Sequence, residues 1–155
     1  MNQTTQLTIF GEALFDCFPD GQSVLGGAPF NVAWHLQALG DAPKFISRVG
    51  NDTLGDTILN EMKSWQLDTA WVQQDNQHPT GQVNVSFSAN EPSYDIATDS
   101  AWDFIADSLI ESPPQSGLFY HGSLAARSDA SHETLQKLTE APGLDIFVDV
   151  NLRDD

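Results

Sequence analysis

The sequence predicts an α/β fold with a mostly parallel sheet and a small additional β-structure. Short apolar runs alternate with segments of helical periodicity over residues 7–73 and again after residue 101, which is typical of strands joined by covering helices. Between these regions, residues 82–88 alternate strictly between polar and apolar side chains, as in a strand with one exposed face. We therefore expect a parallel sheet with an inserted, half-exposed hairpin.

The composition is that of a globular chain and argues against two classes of partner. The 155 residues are 40% hydrophobic and 18% charged, with a formal net charge of -16, and this length suffices for one domain with a core. Nucleic acids and anionic membranes are bound by basic surfaces, so we expect neither as a partner. The start of the chain lacks the basic segment and apolar run of a signal peptide. We therefore expect a cytoplasmic protein.

The first half of the chain predicts strands and helices in alternation. An apolar run ends at Gly11, as a buried first strand does, and an extended segment follows at residues 13–19. Gly40 closes an apolar helix, and the polar triplet at residues 51–53 begins a second helix whose apolar side chains share one face. The predicted elements are strand 7–10, helix 30–39, strand 44–49, a helix from 51–53 to 65, and strand 71–73.

A hairpin interrupts this alternation. The strand at residues 82–88 is followed by a turn at 90–93 and by a returning strand at 94–96. We interpret the hairpin as a flap outside the main sheet, with the extended run at residues 13–19 as a candidate partner for it.

The α/β pattern resumes after residue 101. The sequence predicts a short helix at 102–110, a strand at 118–121, an amphipathic helix at 128–140 and a last buried strand at 145–150. The chain stops at the carboxyl end of that strand, which is where ligands bind in open α/β sheets. We therefore expect a chain that is cut inside a domain.

Two features near the start of the chain are candidate ligand-binding groups. Asp16 is a carboxylate among apolar neighbours, which is costly unless it is paired or faces a site; a solvated aspartate at a strand end is the alternative. Gly26 and Gly27 precede a helix with Pro29 in its first turn, and Asn31 follows in that turn with an amide that donates and accepts. Backbone N–H groups there can hold a polar ligand, although a tight turn before a core helix explains the stretch equally well.

These motifs together resemble the PfkB (ribokinase-like) family of sugar kinases. The resemblance rests on GGAPFNVA at residues 26–33 with Gly40 and Gly50 at matching distances, and on segments similar to fructokinases. Those segments are GEALFD at 11–16, PSYDI at 92–96, AWDFI at 101–105, GSLAAR at 122–127 and DVNLR at 149–153. The resemblance runs along essentially the whole chain and covers only the first half of the family's length.

The resemblance implies a ribokinase-like three-layer α/β/α domain with a small β lid, in truncated form. Residues 1–155 then form the N-terminal part of one kinase domain, with lid segments at about 13–25 and 82–97, and the nucleotide-binding half is absent. Lids of this family often mediate dimerisation, so the resemblance also admits a homodimer through the lid.

Six residues match positions of the family that face the sugar or the phosphates. Asp16, Gly26, Gly27 and Asn31 match the positions that grip the sugar hydroxyls, and Asn151 and Arg153 match residues that face the phosphates. A free cation at the chain end is the alternative for Arg153.

Two aromatic residues are open to either of two interpretations. Trp102 and Phe104 supply either an apolar wall near the sugar or ordinary core packing.

The activity implied by the resemblance is transfer of the γ-phosphoryl group of ATP to a sugar hydroxyl, with Mg²⁺ as cofactor. Fructose is the favoured sugar, giving fructose 6-phosphate, and 2-keto-3-deoxygluconate is the competitor. The family's Gly-Ala-Gly-Asp motif, which carries the catalytic aspartate, does not occur in the sequence. We therefore expect no catalytic residue, no metal ligand and no activity from this chain alone, and a sugar-binding or regulatory fragment remains the alternative. A dinucleotide-binding module is disfavoured, because no G-x-G-x-x-G follows the first strand.

Overall fold

The structure is a computed structural model that describes residues 5–88 and 91–151. In chain order the strands are β1 Leu7–Phe10, β2 Leu14–Cys17, β3 Ser23–Gly26, β4 Lys44–Gly50, β5 Val72–Asp75, β6 Gly81–Ser88, β7 Glu91–Ile96, β8 Ser116–Gly122 and β9 Gly143–Asp149. The α-helices are α1 Ala28–Leu39, α2 Thr53–Ser64 and α3 Asp129–Thr139. Within the described residues, every helix is too short or too polar to cross a membrane.

Five strands form a parallel sheet in the order β5-β4-β1-β8-β9. The chain builds this sheet outward from β1, first through β4 to β5 and then, on the other side, through β8 to β9. The order in which strands are added to the sheet therefore reverses between β1 and β8. In open α/β sheets the crevice at the carboxyl ends of two such strands is the usual ligand site.

Neighbouring residues of the central strands point to two separate core clusters, one on each face of the sheet. On one face, Ile9 and Phe45 pack with side chains of α1 and α2. On the other face, Phe10 and Ile46 pack with Phe119 and with side chains of α3. Because successive side chains of a strand point to opposite faces, this division gives the three layers that the sequence predicts.

The other four strands form a second sheet, in the order β3-β2-β6-β7. Strand β2 pairs with β6 in parallel and with β3 antiparallel, and β6 and β7 form the hairpin. The run at residues 13–19 is therefore the partner of the hairpin, while β3 has no counterpart among the predicted strands. We call this second sheet the lid. The apolar side chains of β6 are only partly buried. Val83 and Val85 are covered, whereas Phe87, near the tip, is 59% exposed.

Local chemistry sets the ends of the first two helices, as predicted. Helix α1 has Pro29 in its first turn and ends at Gly40, which is left-handed at φ 93° and donates its N–H to the Gln37 carbonyl at 3.0 Å. Helix α2 begins after Asp52, whose carboxylate accepts a hydrogen bond from the Gly55 N–H at 2.8 Å. Both ends match the capping preferences of these residue types.

The predicted helix at residues 102–110 is wrong. The chain forms two short 3₁₀ turns instead, Ala101–Phe104 and Asp107–Leu109. Between them, hydroxyl groups of α3 take the place of helical partners: Ser131 accepts from the Ile105 N–H at 2.9 Å, and Thr134 donates to the Ile105 carbonyl at 2.8 Å. With these groups satisfied by α3, the backbone gains little from continuing as an α-helix.

The last strand, predicted to be buried, is largely exposed. Among the described residues β9 pairs with β8 alone, and Ile146, Phe147 and Val148 are between 41% and 57% exposed. The apolar pattern of the strand was identified correctly, but burial depends on neighbours, and the described residues place little against this edge of the sheet.

Candidate active site

A cavity of about 270 Å³ lies at the carboxyl ends of the central strands, where the sheet order reverses. Its floor is formed by residues that follow β1 and β8, by the end of β9 and by the first turn of α1. The lid covers it from the side. The floor contributes Glu12, Gly27, Ala28, Asn31, Gly122, Ser123, Leu124, Asp149 and Asn151, and the lid contributes Leu14, Asp16, Val83, Tyr94 and Ile96.

Asp16 and Gly26 lie together on the inner side of the lid. Asp16 is in β2, lines the cavity and is half-buried. A Cβ atom at Gly26, in the adjacent strand β3, would lie 2.8 Å from Asp16 Oδ2. Gly26 does not itself line the cavity. Its contribution is the space that the carboxylate of Asp16 occupies.

Gly27 joins the lid to α1 in a conformation that favours glycine. Its φ is 105°, and a Cβ atom there would lie 2.5 Å from the Glu12 carbonyl oxygen. The Gly27 carbonyl accepts the first helical hydrogen bond, from the Asn31 N–H at 2.9 Å. The turn therefore presses the start of α1 against the end of β1 and brings the exposed side chain of Asn31 to the cavity.

Glu12, which follows β1, is a floor residue that the sequence reasoning missed. It is only 3% exposed, and its Oε2 atom has no hydrogen-bond partner among the described residues. Burial raises the pKa of Glu12 to about 7. The amides of Glu12 and Ala28 and the charge of Arg127 oppose that rise in pKa, and the charge of Asp149 adds to it. The available signal was its position, since residues directly after a central parallel strand line the ligand crevice.

Tyr120 and Asp149 form a second polar group beside Glu12. The Tyr120 hydroxyl donates a hydrogen bond to Asp149 Oδ2 at 3.0 Å. Burial raises the pKa of Tyr120 to about 12, and the neighbouring Asp149 adds to the effect. Tyr120 is thus a fixed donor that occupies one oxygen of Asp149 and holds it at the edge of the cavity.

Trp102 and Phe104 do not line the cavity, and of the two interpretations their contacts in the structure are those of packing. Trp102 is almost fully buried in the core on the α3 face. The Arg127 guanidinium lies 4.1 Å from the centre of its ring. The Phe104 ring stacks on His78 with centroids 3.6 Å apart. Neither aromatic ring lines the cavity.

Arg127 joins the turn after β8 to the base of the lid. Its guanidinium donates two hydrogen bonds to the buried Asp103 carboxylate, at 2.9 and 2.8 Å, and another to the Ala97 carbonyl at 2.6 Å. This bidentate pair is a strong arrangement. The guanidinium of Arg127 is therefore engaged in contacts that stabilise the fold.

The two residues proposed to face phosphates differ in what the structure describes. Asn151 lines the cavity beyond β9, and its carbonyl accepts a hydrogen bond from the Ser123 hydroxyl at 3.3 Å. Arg153 lies outside the described residues.

The cavity does not form a metal site from the residues described. Over residues 5–88 and 91–151, no group of three or more His, Cys, Asp or Glu side chains is placed to hold a metal ion. Glu12, Asp16 and Asp149 all line the cavity without forming such a group. The described residues therefore do not provide a complete set of ligands for Mg²⁺.

Comparison with protein families gives a match along almost the whole chain. The sequence model described as pfkB family carbohydrate kinase matches residues 12–154. A putative sugar kinase of Pyrococcus horikoshii is 32% identical over 140 residues, which is 83% of this chain and 43% of that protein. The chain spans about half the length of the curated relatives it matches.

Comparison with solved structures gives the same picture. The crystal structure of that Pyrococcus horikoshii sugar kinase in complex with ATP matches with a TM-score of 0.83 and 27% identity, covering 95% of this chain and 53% of the other. A double mutant of the fructokinase of Vibrio cholerae O395, with fructose, ADP and a potassium ion bound, matches with a TM-score of 0.80 and 26% identity. That match covers 97% of this chain and 51% of the other.

Proposed function

The chain belongs to the pfkB family of carbohydrate kinases, and we propose that it supplies the sugar-binding floor and lid of an ATP-dependent fructokinase. The proposal extends to the organisation of the protein: residues 1–155 are the N-terminal part of one kinase domain, with lid segments at about 13–25 and 82–97. The exposed apolar side chains of β9 support this, since an apolar strand face of that size normally has a partner.

The observation that carries the proposal is the position and lining of the cavity. It lies where the order of the parallel sheet reverses. An acidic side chain of the lid, Asp16, faces it together with the amide of Asn31 and the start of α1. A carboxylate accepts hydrogen bonds from hydroxyl groups, and an amide both donates and accepts. This set suits a molecule rich in hydroxyl groups, enclosed between a rigid floor and a β-structured cover.

The charge of the cavity favours a neutral sugar over an acidic one. Three acidic side chains, Glu12, Asp16 and Asp149, line it, and no Lys or Arg does so among the described residues. The nearby Arg127 is already paired with Asp103. The carboxylate of 2-keto-3-deoxygluconate would meet repulsion here, whereas fructose would not. Fructose is therefore the proposed substrate, and fructose 6-phosphate the product.

In the proposed reaction this chain binds and positions the sugar. Asp16 and Asn31 hold hydroxyl groups, and the lid excludes water while ATP transfers its γ-phosphoryl group. Asn151 is proposed to face the phosphates. Solved structures of relatives support these ligands, because one is described with ATP and another with fructose and ADP. We assign no step to Mg²⁺, because the described residues do not form a site for it.

Two further proposals concern assembly and location. A homodimer through the lid is supported by Val24 and Phe87, apolar side chains of the lid that are more than half exposed. A cytoplasmic location remains a prediction.

The proposal is tested by titrating the 155-residue chain with fructose in a calorimeter. Asp16→Asn keeps the shape of the side chain and removes its charge, and we expect it to weaken binding by about 10-fold or more. Asp95→Asn is the matched control, because Asp95 is an exposed lid residue that does not line the cavity. Unchanged affinity in Asp16→Asn, or equal losses in both variants, would contradict the assignment.

A second assay separates binding from chemistry. We expect the chain to bind fructose but not to phosphorylate it when ATP and Mg²⁺ are supplied, because the sequence carries no Gly-Ala-Gly-Asp motif. Steady release of ADP that depends on fructose would show that the catalytic groups lie within these residues, and the division of labour proposed here would be wrong.

A further inference from the structure

We propose that Glu12 is a specificity-determining residue of this cavity, which in its neutral form donates a hydrogen bond from Oε2 to an oxygen of the bound sugar. This inference rests on the proposed function, since it assumes that a polyol occupies the cavity. It assigns a role to a side chain that the binding scheme above does not use.

The first argument is the combination of burial and a missing partner. Glu12 is 3% exposed, lines the cavity, and has an Oε2 atom without a hydrogen-bond partner among the described residues. A buried polar atom without a partner costs free energy. That atom is closed to solvent in the structure. A rotation of the carboxyl group of this cavity-lining residue would present it to a sugar oxygen, so part of this cost would be recovered only when the right ligand binds.

The second argument is the set of charges around Glu12. Asp149, at the end of β9, and Asp16, in β2, line the same cavity and are both acidic. Tyr120, in β8, directs its hydroxyl to Asp149. Arg127, in the turn after β8, favours the charged form of Glu12, but its guanidinium is bound to Asp103. The N–H of Ala28, at the start of α1, also favours the charged form.

The balance of these groups brings the protonation of Glu12 into the neutral pH range. Burial is the largest influence and raises the pKa of Glu12 to about 7, with Asp149 acting in the same direction. A bound sugar would displace water from the cavity and raise that pKa further. The proton then makes Oε2 a donor, in a cavity whose other two acidic side chains are acceptors when ionised.

This donor would contribute selectivity, because a carboxylate and a carboxylic acid form hydrogen bonds with different atoms of a ligand. Ionised Asp16 can only accept, so it recognises a hydroxyl through its hydrogen. Neutral Glu12 recognises an oxygen through its lone pair, whether that oxygen belongs to a hydroxyl group or to the sugar ring. An analogue that lacks this oxygen would leave the buried acid without a partner, and sites of this kind discriminate strongly.

The test is the affinity of the 155-residue chain for fructose between about pH 5 and about pH 9, measured by calorimetry. If the neutral acid is the binding form, affinity is highest below the pKa of Glu12 and falls by about tenfold per pH unit well above it. Glu12→Gln supplies an N–H donor that does not titrate. We expect this variant to bind fructose within a few-fold of the wild-type affinity at low pH and to lose the fall in affinity that the wild-type chain shows at high pH. Glu133→Gln, on the exposed surface of α3, is the control and should keep the wild-type pH profile.

The outcomes separate this inference from the function on which it rests. Binding by the wild-type chain that does not change with pH, or a pH profile that Glu12→Gln leaves unchanged, overturns the role of Glu12 while the sugar site stands. No fructose binding at any pH overturns both. If Glu12→Gln does not fold, the ¹³C signal of the Glu12 carboxyl in the wild-type chain decides. Its pKa should rise when fructose is added, and an unchanged or lowered pKa contradicts the proposal.

Discussion

The floor and the lid form the same cavity by different physical means. Floor groups lie just beyond the strands of the main sheet: Gly27 adopts φ 105° against the Glu12 carbonyl, and Glu12, which follows β1, is 3% exposed. Lid groups are carried by a thin sheet whose outer side faces solvent, and Tyr94, which lines the cavity, is 44% exposed. Changes at strained floor groups such as Gly27 should therefore affect stability and binding together, whereas changes at exposed lid groups such as Tyr94 should affect binding alone.

The largest effect is expected for Gly27→Ala in the floor. The new Cβ atom would lie 2.5 Å from the Glu12 carbonyl oxygen, in a backbone conformation that disfavours alanine. We expect a loss of about 3 kcal/mol or more in the free energy of unfolding, measured in urea, together with the loss of fructose binding.

Gly21→Ala is the matched control for that substitution. Gly21 also has a positive φ, of 85°, but nothing lies within 4 Å of a Cβ atom there. It should cost only about 1 kcal/mol, from the backbone conformation alone. Equal losses in the two variants would mean that the close approach of Gly27 to the Glu12 carbonyl adds nothing to the cost of the backbone conformation.

An intermediate effect is expected at Arg127, which connects the floor to the lid. Removing its side chain by Arg127→Ala leaves the buried Asp103 carboxylate without its bidentate partner and frees the Ala97 carbonyl at the base of the lid. We expect a loss of about 2 kcal/mol in the free energy of unfolding, and faster amide hydrogen exchange in β7.

The control for Arg127 is Lys137→Ala. Lys137 pairs with Asp107 at 3.1 Å, but both side chains of that pair are largely exposed. Such a pair contributes less than about 1 kcal/mol. A loss at Arg127 no larger than that at Lys137 would show that the arginine is not a structural link between floor and lid.

The smallest effect on stability is expected for Tyr94→Ala in the lid. Its half-exposed ring lines the cavity, so fructose affinity should fall several-fold while the melting temperature stays nearly constant. Ser93→Ala, at an exposed position of the same strand that does not line the cavity, should change neither quantity. A marked drop in melting temperature for Tyr94→Ala would remove the distinction between lid and floor.

The sequence was sufficient wherever structure depends on nearby residues. The ends of α1 and α2 follow from Pro29, Gly40 and Asp52, whose effects are confined to one helical turn. The alternation at residues 82–88 identified the hairpin for the same reason. Asp16 was recognisable because a carboxylate in an apolar segment is locally anomalous.

The sequence was insufficient wherever partners distant in the chain decide. The segment at 102–110 looked helical, but Ser131 and Thr134, more than twenty residues later, bind its backbone. Strand β9 carries an apolar pattern, and only the sheet order of the described residues shows that it lies at their edge. Glu12 drew no attention, because its burial exists only once β1, β8, β9 and the start of α1 come together.

The central claim is that fructose binds where the sheet order reverses, between floor and lid. It is tested most directly by recording amide ¹H–¹⁵N spectra of the chain during a fructose titration. We predict that the largest shift changes fall on Asp16, Gly27, Asn31, Ser123 and Asn151, around the cavity, while α2 and β5 remain unaffected. Changes concentrated at α2 and β5, or no changes at saturating sugar, would contradict the account.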